Sequence, residues 1–184
     1  SLSGITKGED PHTYKGKEVK YKVIEYNREK NRVIGSIKQL IDRNNINKTD
    51  ISEIIVVVGP GSFTGVRIGV TIAKTLAYSL KATIKEIDSL MLKALSIENS
   101  SGDFWVSIED KNGAFVGKFD SLNKKIVDYV YLSNSDYLSL KSTENVFSDV
   151  EIDYGKIYAY LKNVAASNVH NVKPLYVKKI EVLK

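Results

Sequence analysis

Hydrophobic and polar residues change their rhythm several times along the chain. Val19, Tyr21 and Val23 alternate with charged neighbours, the pattern of a half-buried strand. Lys15-Gly16-Lys17 before them reads as a turn. Residues 1–14, broken by Gly4, Gly8 and Pro11, follow no regular pattern. From about 29 to 44 the period lengthens. Val33, Ile34, Ile37, Leu40 and Ile41 form one stripe at helical spacing, and Asn44-Asn45 ends it. Ile54 to Val58 is an unbroken β-branched run, which predicts a strand buried on both faces. A glycine-rich loop follows, then a helix to about Leu80. Thr83 to Ile87 reads as a strand. Asp88 or Ser89 is placed to cap a helix through Leu95.

The second half is written differently. Phe104–Ile108, Ala114–Phe119 and Ile126–Leu132 are strand-like and separated by short turns, Lys111-Asn112-Gly113 and Ser121-Leu122-Asn123. Asn-Gly is a strong hairpin signal, so an antiparallel meander is expected. A last helix over about 154–167 and an extended tail from Val172 to Leu183 complete the pattern. The expected fold class is α/β, divided into a lobe over 1–90 and a smaller one over 91–184.

Composition narrows the function. The 184 residues include no cysteine, which excludes disulfide scaffolds and thiolate metal sites. No apolar run approaches the roughly 20 residues of a transmembrane helix, and no apolar leader opens the chain. A soluble cytoplasmic protein without membrane contact is the simplest expectation. The net charge of +5 favours approach to nucleic acid. The lysines are scattered, however, so a solvated basic surface is the plainer reading. His12 and His170 stand far apart without ligating neighbours, so no metal site and no catalytic set is expected. A magnesium site at Asp88, Glu109 and Asp110 competes with their reading as turn residues.

The densest information lies in Gly59, Pro60, Gly61, Ser62, Phe63, Thr64, Gly65 and Arg67. A strand delivers the chain into this loop, and a helix leaves it. Unpaired N–H groups at such a helix start suit an anion or a partner. Ser62 or Thr64 is placed to cap. Arg67 in the first turn opposes the helix dipole and invites a carboxylate or phosphate. Gly61 or Gly65 is expected to need a backbone that a side chain forbids. Further on, Gly65, Gly69, Ala73 and Ala77 recur every four residues, with Val70 beside them. Such a stripe serves close packing, either on the protein's own sheet or against another chain.

Val66-Arg67 stand where a Walker A loop needs Lys and Ser/Thr, so that motif is rejected. The glycines also approximate a dinucleotide-binding fingerprint, with Glu86 or Asp88 about 20 residues on. A meander rather than further strand-helix units follows, which weakens that reading. GPGSFTGVRIG followed by A-K-x-L-A resembles the signature of the TsaB (YeaZ) family. Ile87-Asp88-Ser89-Leu90, Ile108–Gly113 and Pro174-Leu175-Tyr176-Val177-Lys178 are similar to further segments of it. Glu109-Asp110-Lys111 and Lys178 depart from the family pattern, and its opening D-T-S strand is not visible at 1–14.

The resemblance implies an actin-like ATPase or ribonuclease-H-like fold of two lobes, the second reduced. It implies a non-catalytic, cofactor-free subunit of the complex that places threonylcarbamoyl on the tRNA adenosine beside the anticodon. The implied partners are TsaD, TsaE and tRNA within the assembled complex, with a homodimer when the chain is alone. The implied docking residues are Val33, Ile34, Ile37 and Ile41 on the first helix, and Gly69, Val70, Ala73 and Ala77 on the second. The rival reading is a nucleotide-dependent enzyme of actin-like or Rossmann type.

Overall fold

The computed structural model describes residues 12–14, 17–19, 33–98 and 101–177. They group into two compact units. One comprises the described residues up to 56 with 67–86 and 154–172. The other comprises 57–66, 87–153 and the described residues from 173. The sequence suggested a single division near residue 90; the units interleave along the chain instead.

In the first unit a short antiparallel pair, β1 (His12–Tyr14) and β2 (Lys17–Val19), aligns His12 with Val19. Tyr21 and Val23, the rest of the expected strand, lie outside the described residues. Helix α1 (Val33–Arg43) occupies the predicted apolar stripe. Strand β3 (Glu53–Val57) neighbours β4 (Thr83–Ile87), and helix α2 (Phe63–Leu80) connects them. Thr83 N donates to Ser52 O (2.9 Å) and Val58 N to Ile87 O (2.9 Å). Start therefore pairs with start and end with end, so the strands are parallel, as a helical crossover requires.

The expectation that β3 is buried on both faces is not met. Val56 and Val58 are buried, but Ile55 and Val57 are 37% and 40% exposed. A β-branched run reports strand propensity as well as burial, and here propensity accounts for the exposed half. Lys85, on β4, is buried. Its Nζ meets Glu53 at 3.0 Å and donates to Leu161 O at 2.8 Å, so the buried charge is paired and hydrogen-bonded. Helix α5 (Tyr154–Leu161) buries Ile157, Tyr158 and Leu161. It is shorter than the predicted 154–167, because Ser167 N bonds Ile84 O (2.8 Å) and extends the β4 edge instead.

The second unit is built on a sheet in the order β7-β6-β5-β8. Strands β5 (Phe104–Glu109), β6 (Gly113–Phe119) and β7 (Val130–Ser133) form the expected meander. Strand β8 (Val146–Phe147) joins β5 in parallel. Its two residues were too few to register as a pattern. Alternation along the strands divides the core. Phe104, Val106 and Phe119 pack with Leu90 and Ala94 of helix α3 (Ser89–Ser96). Ala114 and Val116 pack with Tyr137 of helix α4 (Asn134–Thr143), alongside Trp105, Leu132 and Val146.

The Asn112-Gly113 turn works as its sequence promised. Asp110 N bonds Gly113 O (2.8 Å), and a Cβ on Gly113 would collide with the Leu132 carbonyl. Helix α4 was not expected. It buries only Tyr137, so it carries no apolar stripe to detect. Its signal is an N-cap serine: Ser133 Oγ accepts from Asp136 N (3.3 Å) and donates to Asp136 Oδ2 (2.6 Å).

Candidate functional site

The glycine loop begins where β3 ends. Val58, Gly59 and Pro60 are buried, and the Gly59-Pro60 peptide is cis. The second unit's own chain holds the loop from several directions. Val58 N donates to Ile87 O, Leu175 N to Val58 O (2.7 Å) and Ser89 N to Gly59 O (2.8 Å). The end of β4, the start of α3 and the closing tail therefore converge on two loop residues.

Gly59 has φ +100°, and a Cβ there would lie 3.3 Å from Leu175 O and 3.4 Å from the Val66 side chain. Sequence reasoning placed this demand at Gly61 or Gly65. Gly61 has φ +158° and room for a Cβ, while Gly65 is buried in α2. Of Gly59 and Gly61 the stronger constraint falls on Gly59, the glycine that the tail covers. Gly59→Ala is expected to cost about 1–3 kcal/mol, from left-handed strain plus crowding. Urea denaturation checks this, with Gly61→Ala expected to cost less.

Ser62 is the cap of α2. Its Oγ accepts from Gly65 N (3.3 Å) and its carbonyl from Val66 N (2.9 Å). Ser62, Phe63, Thr64 and Arg67 are exposed on this first turn. Phe63 leans on Tyr176, ring centroids 5.8 Å apart, so the tail also meets the helix start.

Asp88 caps α3 and accepts from Met91 N (2.7 Å). Burial pushes its carboxyl above the usual range, while hydrogen bonds from Met91, Tyr129 and Leu90 partly oppose the shift. A carboxyl raised on folding binds extra protons in the native state, so its ionisation lowers stability as pH rises from about 4 through the raised value. Asp88→Asn keeps a good cap and removes that loss. The variant is expected to match or exceed the native chain in melting temperature at pH 7 and to lose its advantage near pH 3. Asp88→Ala, which loses the cap, is expected to cost about 1 kcal/mol near pH 3 and less at pH 7. Melting curves across that range check the sign.

Glu109 and Asp110 have structural partners. Glu109 accepts from Tyr137 Oη (2.7 Å) and pairs with Lys141 (3.4 Å); the tyrosine bond holds its carboxyl below the ordinary range. Asp110 accepts from Tyr131 Oη (2.6 Å) and Asn112 N (2.8 Å). Burial, then the Asp110 bond, pushes the Tyr131 phenol up to about 12. Asp88 instead bonds Tyr129. Among the described residues no three His, Asp or Glu side chains gather as a metal ion would need. No sequence pattern points to Lys93, whose Nζ donates to Ser107 O (3.0 Å) and Ser148 O (2.6 Å), tying α3 to the sheet. A lone lysine in a helical stripe carries no signal of carbonyls distant in sequence.

The proposed docking residues divide. Val70, Ala73 and Ala77 are buried, Ala77 at 1% exposure. Gly69 is half-buried, and among the described residues no atom lies within 4 Å of an added Cβ. Ile37 and Ile41 are half-buried on α1. Val33 and Ile34 belong to α1, but their side chains lie outside the described residues. His170 is exposed and meets Tyr78 edge-on at 6.1 Å.

These features define an α/β protein of the actin-like, ribonuclease-H-like fold, with a glycine loop closed by its own tail. Solved structures share the fold. A Pseudomonas aeruginosa protein described as uncharacterized with similarity to peptidase YEAZ superposes at TM-score 0.65 and 12% identity, covering 90% of this chain and 92% of its own. YeaZ from Pseudomonas aeruginosa gives 0.62 and 15%, covering 88% and 91%. The profile of the family described as TsaD: tRNA N6-adenosine threonylcarbamoyltransferase matches residues 27–151, more than half of the sequence, and the chain belongs to that family. The tRNA threonylcarbamoyladenosine biosynthesis protein TsaB of Bacillus subtilis (strain 168) is 48% identical over 59 residues. That alignment spans 32% of this chain and 26% of the relative. The relatives named TsaB and YeaZ support the TsaB/YeaZ branch that the loop sequence resembles.

Proposed function

We propose that the chain is a non-catalytic subunit in tRNA threonylcarbamoyladenosine biosynthesis, and that it docks a TsaD-type transferase through α1 and α2. One observation carries the reading. At the start of the glycine loop the Val58 N–H and the Val58 and Gly59 carbonyls are engaged by Ile87, Leu175 and Ser89 of the chain itself. The loop thus acts as a junction that fixes the start of α2. In this reading TsaE and tRNA join the assembled complex in the cytoplasm, and the chain self-associates when TsaD is absent. No helix among the described residues is long and apolar enough to cross a membrane.

Gel filtration of the chain with its own organism's TsaD tests the proposal. Co-elution is expected, together with no hydrolysis of magnesium-ATP by the isolated chain above a buffer control. Steady turnover that co-purifies with the chain and is lost in Glu109→Gln would establish the rival nucleotide-dependent enzyme.

A further inference from the structure

Residues 54–85 and 154–177 contain no aspartate or glutamate, although the whole chain carries 22. Together they hold seven lysines and arginines. That exceeds the chain's entire net charge of +5, so the remainder is net acidic. Read linearly, these lysines looked scattered. Within the first unit the fold brings 67–85 and 154–172, the larger part of the two stretches, together. Lys74 Nζ donates to His170 O (3.0 Å) and Val172 O (2.8 Å). Tyr78 meets His170 edge-on, and Ser167 N bonds Ile84 O.

Not all of this charge reaches the surface, since Lys85 is buried on Glu53. Glu86, just beyond the first stretch, touches Ser167 Oγ at 3.3 Å. What the surface presents is Tyr78, 70% exposed, with His170 and Lys81 exposed and Lys74 half-buried around it. Asn168 and Asn171 are exposed in the same returning segment.

We propose that this face, centred on Tyr78, Lys81 and His170, is the chain's RNA-contacting surface. The two rings offer stacking planes for unpaired bases, the ammonium groups meet phosphates, and the asparagines supply amide donors and acceptors. With no carboxylate in either stretch and Glu86 at the border bonded by Ser167, the repulsion a polyanion would otherwise meet is reduced. An acidic protein would be served by the charge but has no use for exposed stacking planes. The assignment deepens the subunit reading above and rests on it for the choice of tRNA. It is separable from the docking surface. Tyr78 follows Gly69 by nine residues, which at about 100° per residue puts the two on opposite sides of α2.

The test is binding of unmodified tRNA, at several salt concentrations, to the chain with and without TsaD. Tyr78→Ala combined with Lys81→Gln changes two exposed side chains and is expected to leave the fold intact by circular dichroism. Affinity is expected to fall at least about fivefold from the lost stacking. The slope of log affinity against log salt is expected to shrink by about 0.7–0.9 for the lost phosphate contact. Lys124→Gln, on the exposed turn of the other unit, is expected to change neither quantity. Undiminished binding by the double variant, equal loss in Lys124→Gln, or no tRNA binding with or without TsaD would each overturn the proposal. Loss of TsaD association with tRNA affinity intact would also overturn it, in favour of a protein contact. Failure of the native chain to bind TsaD while the tRNA results hold would remove the subunit reading and leave the RNA face standing.

Discussion

Gly69→Glu is expected to leave the chain folded and to abolish its association with TsaD. Gly69 stands mid-way along α2, between buried Gly65 and Ala73, yet it is half-buried and has room for a Cβ. Replacing a mid-helix glycine favours the helix by up to about 1 kcal/mol. Folding therefore has little to lose. Docking has much to lose, because a glycine notch admits a partner backbone closely and a carboxylate there is stripped of water. An uncompensated buried charge costs several kcal/mol, a loss of affinity on the order of a hundredfold or more. Gly69→Ala serves as the control, retaining the fold and most of the binding. Calorimetric titration with TsaD, beside a thermal melt, decides it. A folded Gly69→Glu chain that binds at native strength would place the docking surface elsewhere.

The small-residue stripe shows how far the sequence could be read. Its period marked α2 and a face of small residues, because side-chain size is local information. Whether Gly69, Ala73 and Ala77 face the protein's own interior or a partner depends on what lies across from them, which no spacing encodes. Local patterns also carry no sign of where distant segments meet. Nothing in residues 154–167 announces that α5 stops at Leu161 so that Ser167 can bond Ile84. Likewise the importance of Gly59 over Gly61 comes from Leu175, more than a hundred residues later. The hairpin at Asn112-Gly113 and the cap at Asp88 were legible, because their partners lie within a few residues. The basic face was illegible for the opposite reason: residues 86–153 separate its two halves in the sequence.

Eight residues along from the notch, the same stripe gives the contrary outcome. Ala77→Glu is expected to destabilise the chain by several kcal/mol at pH 7, since Ala77 is 1% exposed and the new carboxylate would be buried without a partner. For a chain of this size that is a fall of about 10 °C or more in melting temperature. The pH dependence separates charge from bulk. Burial raises the folded pKa of the introduced Glu above its unfolded value of about 4.3. The charge contribution to the deficit is therefore absent below about pH 4 and grows as pH rises through the folded pKa. Ala77→Gln adds the same volume without the charge, so its overpacking loss of about 1–3 kcal/mol is expected to stay level with pH. Melting both variants against the native chain from pH 3.5 to 8 tests this. If Ala77→Glu melts with the native chain at neutral pH, Ala77 faces water, and the stripe is open along its whole length rather than notched at Gly69.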